Sequence, residues 1–294
     1  MKRDRIDAFG ASALIMFSLL MGLNQVFIKL VNAGFSPAFQ AGLRSICAFG
    51  PVLLFALIAR RKLSVTDGTL GPGLLVGVLF SAEFLLLFNA LEYTSVNRAS
   101  VLFYTMPIWV ALAAHFLIPG EKLTLRRSFG LVVAVSGVAL ALLDRAPGVG
   151  PDAWIGDLMC LVAAGIWATL ALCLRVTRLR GADPEMQLLY QLGVSAVVLT
   201  ALAPVFGPIL RTVTPEIIAI FAFQVLAVVC VGFLSWFWIL RIYPASDMAA
   251  FSFLAPVFGV IASWAILGEQ LSLEILGALV LVSLGIALVS WRPR

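Results

Sequence analysis

The chain has 294 residues, of which 62% are hydrophobic and 12% charged, and its formal net charge is +5. Soluble domains carry a charged fraction of about 25%, and a single core of this size cannot bury so much apolar surface. The composition excludes a soluble globular enzyme, a disordered chain and a nucleic-acid-binding domain, and it predicts a protein embedded in lipid.

Ten stretches are long and apolar enough to cross a hydrocarbon core of about 30 Å as helices that rise 1.5 Å per residue. Strands are excluded because these runs are too long and do not alternate between polar and apolar residues. In chain order the predicted spans are Phe9–Val31, Pro37–Ala59, Gly71–Leu91, Ala99–Ile118, Leu125–Leu143, Trp154–Leu174, Gln187–Phe206, Ile217–Leu240, Ala245–Leu267 and Leu273–Trp291. The sequence therefore predicts an all-α integral membrane protein with ten transmembrane helices.

The basic residues predict the orientation of these helices. If the N-terminus is cytoplasmic, most of the 20 Lys and Arg residues lie at cytoplasmic ends of the spans, as the run Arg60-Arg61-Lys62 does. Only Arg98, Arg145 and Arg211 lie at the opposite ends. Because Lys and Arg are concentrated in cytoplasmic loops of membrane proteins, we expect both the N- and the C-terminus in the cytoplasm.

The two halves of the chain resemble each other. Pro107 and the later sequence Glu121-Lys-Leu-Thr-Leu recur as Pro256 and Glu269-Gln-Leu-Ser-Leu. Because each half has five spans, an odd number, the two copies enter the membrane in opposite senses, and a pseudo-two-fold axis in the membrane plane relates them. The substrate site of such inverted pairs usually lies between the halves near the midplane. The predicted five-helix repeats are residues 1–145 and 150–294.

The recurring motifs resemble those of the EamA-type ten-helix transporters of the drug/metabolite transporter superfamily. They are the prolines of the fourth and ninth spans, Gly120-Glu121-x-Leu-Thr124, Gly268-Glu269-x-Leu-Ser272, Gly137-Val138, Gly285-Ile286 and Gly165-Ile-Trp167. The resemblance implies a secondary transporter in the bacterial cell inner membrane that exports amino acids or related small metabolites. Tyr104 and Trp167 are similar to residues of aromatic amino acid exporters in this superfamily, whereas Met106 stands where those exporters would have Trp.

Two charged residues lie inside predicted spans at similar depth. Arg44 is roughly 10 Å and Glu83 roughly 13 Å below the predicted outer ends of the second and third spans. A bare carboxylate at that depth is costly, so we expect Glu83 to be paired, protonated or exposed to water. The interpretations left open are a structural ion pair between Arg44 and Glu83, and a role of Glu83 in binding a substrate ammonium group or in proton coupling.

Amide and indole side chains in the middle of spans are further candidates for the substrate site. Asn24 and Gln25 lie midway through the first span, where amides either hold helices together or line a wet cavity. Trp167 and Trp236 lie deep in the sixth and eighth spans, where an indole N–H needs a partner. For all four residues, helix packing is the alternative to a substrate-binding role.

The fourth and ninth spans each carry an aromatic residue followed three positions later by a proline. These are Tyr104 with Pro107, and Phe253 with Pro256. A proline removes a backbone hydrogen bond and kinks its helix, and kinks at equivalent places in two repeats point to a transporter's binding site. We therefore expect these four residues to line the cavity; a kink required only for packing is the alternative.

Several other polar residues are expected to have structural roles. His115 lies near the inner end of the fourth span and is expected to be a satisfied interfacial histidine, with a proton relay as the alternative. We expect Glu121 and Glu269 to belong to loop and cap structure, with a gate contact as the alternative. Lys29 can reach the outer interface, where Glu92 is its expected partner.

The sequence contains no metal-ligand spacing, no catalytic triad and no nucleotide-binding motif, so we expect neither an enzyme nor a cofactor. The expected partners are a small-molecule substrate (an amino acid or metabolite) and membrane lipid, with protons as an optional coupling ion and without nucleic acid. Two alternatives to a transporter remain: a non-transporting channel or scaffold and, less favoured, an intramembrane enzyme.

Overall fold

The computed structural model describes residues 7–118, 122–144, 150–232, 235, 238–239, 242–243, 251 and 253–290. Within these residues the helices are α1 (Ala8–Val31), α2 (Pro37–Ile58), α3 (Leu70–Tyr93), α4 (Val96–Phe103), α5 (Met106–Leu117), α6 (Leu125–Leu142), α7 (Ala153–Val176), α8 (Pro184–Leu202), α9 (Pro215–Phe223), α10 (Leu254–Ala262) and α11 (Leu273–Ser290). Two of them continue as π-helix, α9 over Gln224–Gly232 and α10 over Ser263–Leu267. Short 3₁₀ turns follow α7 and α8, at Arg178–Gly181 and Ala203–Phe206.

The described residues form nine helices that are long and apolar enough to cross a membrane, with α4 and α5 counted as one crossing. A shorter apolar helix, Leu254–Leu267, lies where the ninth span, Ala245–Leu267, is predicted. The first residues of that predicted span, 245–250, lie outside the described residues, as does residue 252. In the described part of the chain the only strand-like pairing is a single bridge between Phe35 and Leu210. The all-α membrane fold predicted from the sequence is therefore confirmed.

The fourth span is broken in its middle, as its proline predicts. The helix α4 ends at Phe103, and α5 begins at Met106 with Pro107 in its first turn. Proline is tolerated in a first turn because the N–H that it lacks would have no intrahelical partner there. Pro256 likewise lies in the first turn of α10. Both prolines thus lie at the beginning of a helical segment.

Helices at equivalent positions of the two halves pack against each other. The second span contacts the seventh (α2 with α8), the fourth contacts the ninth (α4 with α10), and the fifth contacts the tenth (α6 with α11). Glycines allow the closest of these approaches: a Cβ atom on Gly137 would lie 2.9 Å from the backbone nitrogen of Val282, and one on Gly285 would lie 2.7 Å from the carbonyl oxygen of Gly130. A two-fold axis between the repeats would require such contacts of the helices beside it.

Large apolar side chains cover the outside of the bundle. Leu125, Leu273, Phe116 and Val197 are among the most exposed of them. A soluble monomer rarely exposes such continuous apolar surface, whereas a lipid-facing surface requires it. The polar side chains discussed below lie inside the bundle or at its two ends.

Candidate functional site

Gln25 lies where α1 of the first repeat meets α4 and α10. A Cβ atom on Gly22 would lie 2.6 Å from the backbone nitrogen of Gly259, so α1 and α10 are in backbone contact one turn from Gln25. The buried Gln25 side chain accepts a hydrogen bond of 3.0 Å from Ser100 Oγ through its Oε1, while its Nε2 has no partner. Gln25 therefore links α1 to α4 and keeps one buried donor available.

Two further candidates lie on or against the same part of α1. Asn24 is half-buried, and its Oδ1 is buried without a hydrogen-bond partner. Tyr104 is buried, and its hydroxyl donates to the carbonyl oxygen of Met21 at 2.9 Å. The structure therefore brings Asn24, Gln25 and Tyr104 together around α1, with Pro107 one turn further along the chain.

A buried amide pair joins the two repeats. Gln40 Nε2 in α2 donates to Gln224 Oε1 at 3.2 Å, and neither side chain has any exposed surface. Gln40 Oε1 and Gln224 Nε2 have no partner. Gln224 also begins the π-helical stretch after α9, and π turns in helices are frequent at functional sites.

Gln40 is not among the site residues predicted from the sequence. The signal available for it was the recurrence of Gly-x-x-Pro-x-x-Gln at Gly34–Gln40 and Gly181–Gln187. In the second copy the amide of Gln187 donates to the carbonyl oxygen of Leu179 at 2.8 Å, within its own repeat. The recurring motif therefore points to both glutamines, but only the structure shows that Gln40 contacts the other half of the chain, whereas Gln187 does not.

Arg44 lies one helical turn beyond Gln40 on α2 and is only 4% exposed. Its guanidinium carbon lies 4.3 Å from the ring centroid of Phe84 and 4.8 Å from that of Phe88. No described residue accepts a hydrogen bond from this guanidinium. Two cation–π contacts therefore fix its position, while its N–H donors keep their capacity to bind an acceptor.

Glu83 is 2% exposed, and its Oε2 has no hydrogen-bond partner. It precedes Phe84 on α3, and its charge interacts electrostatically with that of Arg44. Within the described residues, however, no N–O contact of 4.0 Å or less joins Glu83 and Arg44. Of the two interpretations that the sequence leaves open, a direct ion pair is therefore not what these described residues form; the guanidinium lies on the phenylalanine rings instead.

The remaining predicted site residues are less closely associated. Trp167 is half-buried on α7, and its indole N–H has no acceptor in the described part of the chain. Phe253 is half-buried immediately before α10, and Pro256 is buried in the first turn of that helix. Trp236 lies outside the described residues.

A buried cluster of charges that the sequence analysis missed lies at the predicted outer end. Arg98 Nε donates to Asp157 Oδ1 at 3.1 Å, and a second guanidinium nitrogen forms an ion pair with Asp157 Oδ2. Arg98 Nη1 also donates to the carbonyl oxygen of Asp144 at 2.7 Å, and Thr94 Oγ1 donates to Asp157 at 2.8 Å. The available signal was Asp157 itself, an acidic residue inside the predicted sixth span, Trp154–Leu174.

Lys29 binds Glu269 rather than Glu92, so the partner expected for it was wrong. Its Nζ lies 3.3 Å from Glu269 Oε1 and donates to the carbonyl oxygen of Thr94 at 3.0 Å. Glu269 also accepts from the backbone N–H groups of Val96 at 2.9 Å and Asn97 at 3.0 Å. Glu269 is therefore a cap, as expected, but for α4 of the other half of the chain. Glu121 lies outside the described residues.

Glu92 instead binds Arg211, at 2.9 Å between Oε2 and Nη1. Arg211 also donates to the carbonyl oxygen of Asn32 at 2.9 Å, and the backbone N–H of Ser36 donates to the carbonyl oxygen of Ile209 at 3.0 Å. The loop between α1 and α2 is thereby joined to the loop between α8 and α9. At this end of the bundle, ion pairs and backbone bonds connect the two halves.

His115 has a structural partner near the opposite end. Its Nδ1 accepts a hydrogen bond of 3.1 Å from the backbone N–H of Leu123, after α5. This is the satisfied interfacial histidine that the sequence predicts. Among the described residues, no group of three or more His, Cys, Asp or Glu side chains is placed to hold a metal ion.

Comparison with known proteins identifies a family that the chain matches over both halves. The model of the EamA-like transporter family matches residues 8–143 and residues 154–291. A protein of known crystal structure has a similar fold, with a TM-score of 0.68 at 20% sequence identity, over 95% of this chain and 96% of that one.

Several curated bacterial proteins are similar over nearly their whole length. The uncharacterized transporter YoaV of Bacillus subtilis is 26% identical over 275 residues, which are 93% of this chain and 94% of that protein. A probable amino-acid metabolite efflux pump of Escherichia coli is 26% identical over 291 residues, 93% of this chain and 92% of the relative. A protein of the same description in Salmonella typhimurium is 26% identical over 99% of this chain and 97% of its own.

Proposed function

Because the chain belongs to the EamA-like transporter family, we propose that it is a secondary transporter that exports amino acids or related small metabolites across the bacterial inner membrane. Its family and its apolar helices make it a multi-pass membrane transporter. The substrate class and the direction of transport are supported by the two relatives that are named as probable amino-acid metabolite efflux pumps.

The observation that carries the proposal is the buried amide pair between the repeats. Gln40 and Gln224 meet inside the bundle, and each keeps one polar atom without a partner. A buried polar group without a partner costs free energy. A ligand or a water molecule that reaches these atoms would satisfy them, so the seam between the repeats is the place where a polar substrate gains most.

The proposed cavity extends from this amide pair to the junction of α1, α4 and α10. Its proposed lining consists of Asn24, Gln25, Glu83, Tyr104, Pro107, Trp167, Trp236, Phe253 and Pro256. Gln25 has an amide nitrogen without a partner at that junction, the neighbouring Asn24 on α1 has a buried amide oxygen without a partner, and two helices begin nearby at a proline. These features support a wet cavity more than they support simple helix packing.

Alternating access requires contacts between the halves that form and break at modest cost. The ion pair Arg211–Glu92 fits this requirement best, because both side chains are about one-third exposed, whereas Glu269 of the Lys29–Glu269 pair is only 15% exposed and also caps α4. Exposed ion pairs contribute only about 0–1 kcal/mol each. Water can replace them when the predicted outer end opens, whereas the fully buried Arg98–Asp157 pair is suited to a permanent contact.

The decisive experiment is counterflow in proteoliposomes that contain the purified protein and are preloaded with one unlabelled amino acid. We expect saturable uptake of the same labelled amino acid, and no such uptake in protein-free vesicles. Gln224→Leu should abolish counterflow. Gln191→Leu is the matched control, because the Gln191 amide donates to Gln187 of its own helix, and it should retain transport.

Two other outcomes would contradict this function. Flux that does not saturate and that admits unrelated solutes would indicate a channel, and no flux for any amino acid would indicate a scaffold or a different substrate class. Imposed pH gradients and a protonophore then test coupling. Proton-coupled export predicts that a pH gradient drives accumulation and that the protonophore abolishes this accumulation while counterflow continues.

A further inference from the structure

We propose that Arg44 binds the carboxylate of the substrate and Glu83 binds its ammonium group, so that the protein selects zwitterionic α-amino acids. The assignment rests on the proposed function and specifies the substrate class of the same site. It depends on the contacts that hold these two side chains, on the hydrogen-bond partners that they lack, and on the polar groups beside them.

Arg44 is built as a receptor rather than as a structural contact. The guanidinium is buried on the rings of Phe84 and Phe88, which hold it without using its N–H donors. The aromatic support continues along α3, since the ring of Phe80 lies 4.4 Å from that of Phe84. A buried guanidinium whose donors have no acceptor is costly, and its planar fork matches a carboxylate in bidentate geometry.

Glu83 is the complementary group on the neighbouring helix α3, next in sequence to Phe84, on whose ring the Arg44 guanidinium lies. It is almost fully buried, and its Oε2 has no hydrogen-bond partner. If Arg44 and Glu83 stabilised the fold as an ion pair, direct contact would be expected, because only close hydrogen-bonded geometry offsets the desolvation of two buried charges. Two buried groups of opposite charge that do not contact each other match a ligand that carries both charges itself.

The buried amide pair extends the same site. Gln40 is one turn from Arg44 on α2, and residues so spaced lie on one face with about 5–6 Å between their Cβ atoms. Its partner Gln224 has an Nε2 donor without an acceptor. This donor is suited to the second oxygen of a carboxylate or to a polar group next to it.

The wild-type protein provides the first test. Leucine, phenylalanine and threonine are compared in counterflow, and the fastest is chosen as the substrate. Its own carboxamide, which lacks the carboxylate, and its deamino carboxylic acid, which lacks the ammonium group, are then used as inhibitors. We expect the unlabelled amino acid to inhibit at least 100-fold more strongly than either analogue, because a site built around a polar group rejects ligands that lack it.

Two variants then separate the roles of the two charges. In Arg44→Gln, preference over the carboxamide should fall below tenfold, while preference over the deamino acid persists. In Glu83→Gln, preference over the deamino acid should fall below tenfold, while preference over the carboxamide persists. Arg44→Lys keeps the positive charge but not the planar, bidentate guanidinium. Its preference over the carboxamide should lie between those of Arg44→Gln and the wild type. The exposed residues Arg180 and Glu274 provide the matched controls, since Arg180→Gln and Glu274→Gln should leave both preferences unchanged.

The outcomes distinguish this assignment from the proposed function. If no amino acid gives counterflow, both fail. If amino acids are transported but the carboxamide inhibits the wild type as strongly as the amino acid does, only the assignment fails, and this result needs no variant to fold. If Arg44→Gln and Glu83→Gln fold and weaken both preferences equally, the two charges act together on the structure and the separate roles are wrong.

Discussion

The carboxylate of Glu269, in the second half of the chain, accepts a hydrogen bond of 2.9 Å from the backbone N–H of Val96, at the start of α4 in the first half. The first N–H groups of a helix have no intrahelical acceptor, and an acidic side chain there also interacts favourably with the helix dipole. Gly268, with a φ of 66°, makes the left-handed turn that places Glu269 beside α4. One repeat thus caps a helix of the other.

Glu269→Gln should therefore destabilise the closed outer end. The amide keeps one of the two acceptor oxygens, but it loses the other, the ion pair with Lys29 and the charge that strengthens two backbone hydrogen bonds. We expect a loss of about 1–2 kcal/mol, measured as a lower midpoint of thermal unfolding in detergent. The control is Glu274→Gln, which changes an exposed acidic residue five positions away. Equal losses in the two variants would contradict the capping role.

The sequence predicts the local features of this fold well. The length of the apolar stretches predicts the spans, Pro107 predicts the break in the fourth span, and the motif around Glu269 predicts a helix cap. Each of these depends on residues that are near in the sequence. The helix that Glu269 caps is not predictable in this way, because Val96 is far away in the chain and the choice depends on how the repeats pack.

The same distinction explains the candidate site. Arg44 and Glu83 are recognised in the sequence because a charge inside an apolar span is conspicuous, and their similar depth suggests an ion pair. The sequence does not reveal that Phe84 and Phe88 hold the guanidinium, since any apolar residue would satisfy the span. The sequence also does not reveal that Arg98 is buried. Its position near a helix end suggests an exposed residue, and its partner Asp157 is remote in the sequence.

The buried Arg98–Asp157 pair should contribute strongly to stability. Asp157→Asn removes the negative charge that offsets the buried Arg98 guanidinium. Removing one partner of a buried ion pair costs about 3–5 kcal/mol. The double variant Arg98→Met with Asp157→Leu should recover only part of this loss, because it removes both charges of the pair but leaves the buried carboxylate of Asp144, 3.9 Å from Arg98 Nη1, without that cation. Thermal unfolding of the single and double variants measures the coupling.

A partly exposed pair is the matched comparison for this experiment. Glu92→Gln removes the partner of Arg211, and both side chains are about one-third exposed. We expect a loss of about 0–1 kcal/mol. If Glu92→Gln and Asp157→Asn proved equally destabilising, burial would not determine the strength of these pairs.

The contact between α1 and α10 should not tolerate a side chain at Gly22. A Cβ atom there would lie 2.6 Å from the backbone nitrogen of Gly259 and 2.8 Å from the backbone of Phe258. Because backbone cannot rotate away as a side chain can, Gly22→Ala should separate the helices and cost about 1–3 kcal/mol. We also expect slower counterflow, since Gln25 lies one turn away.

Gly165→Ala is the control for this substitution. Gly165 is also a helical glycine, in α7, but nothing lies within 4 Å of the position that its Cβ would take. Alanine there should raise stability by up to about 1 kcal/mol, because glycine is the weaker helix former. A loss of stability at Gly165 similar to that at Gly22 would show that close packing is not the cause.

His115 should be dispensable for transport. Its Nδ1 accepts a backbone N–H from Leu123, which is a contact that an amide oxygen can reproduce. We expect His115→Gln to retain counterflow within about twofold, at every pH at which the wild type is active. A folded His115→Gln variant that has lost pH-driven transport but keeps counterflow would instead identify His115 as a proton relay.

The orientation of the helices can be tested at two exposed positions. Arg180, between α7 and α8, lies at the end that carries most Lys and Arg residues, and Val213, between α8 and α9, lies at the other end. Because basic loops remain in the cytoplasm, a cysteine at Val213 should react in intact spheroplasts with a membrane-impermeant maleimide, and a cysteine at Arg180 should react only after permeabilisation. The background for both is a variant in which the four native cysteines are replaced by serine or alanine, with retained counterflow as the check on folding. The reverse labelling pattern would place both termini outside the cytoplasm, and labelling of both positions in intact spheroplasts would contradict the number of crossings between them.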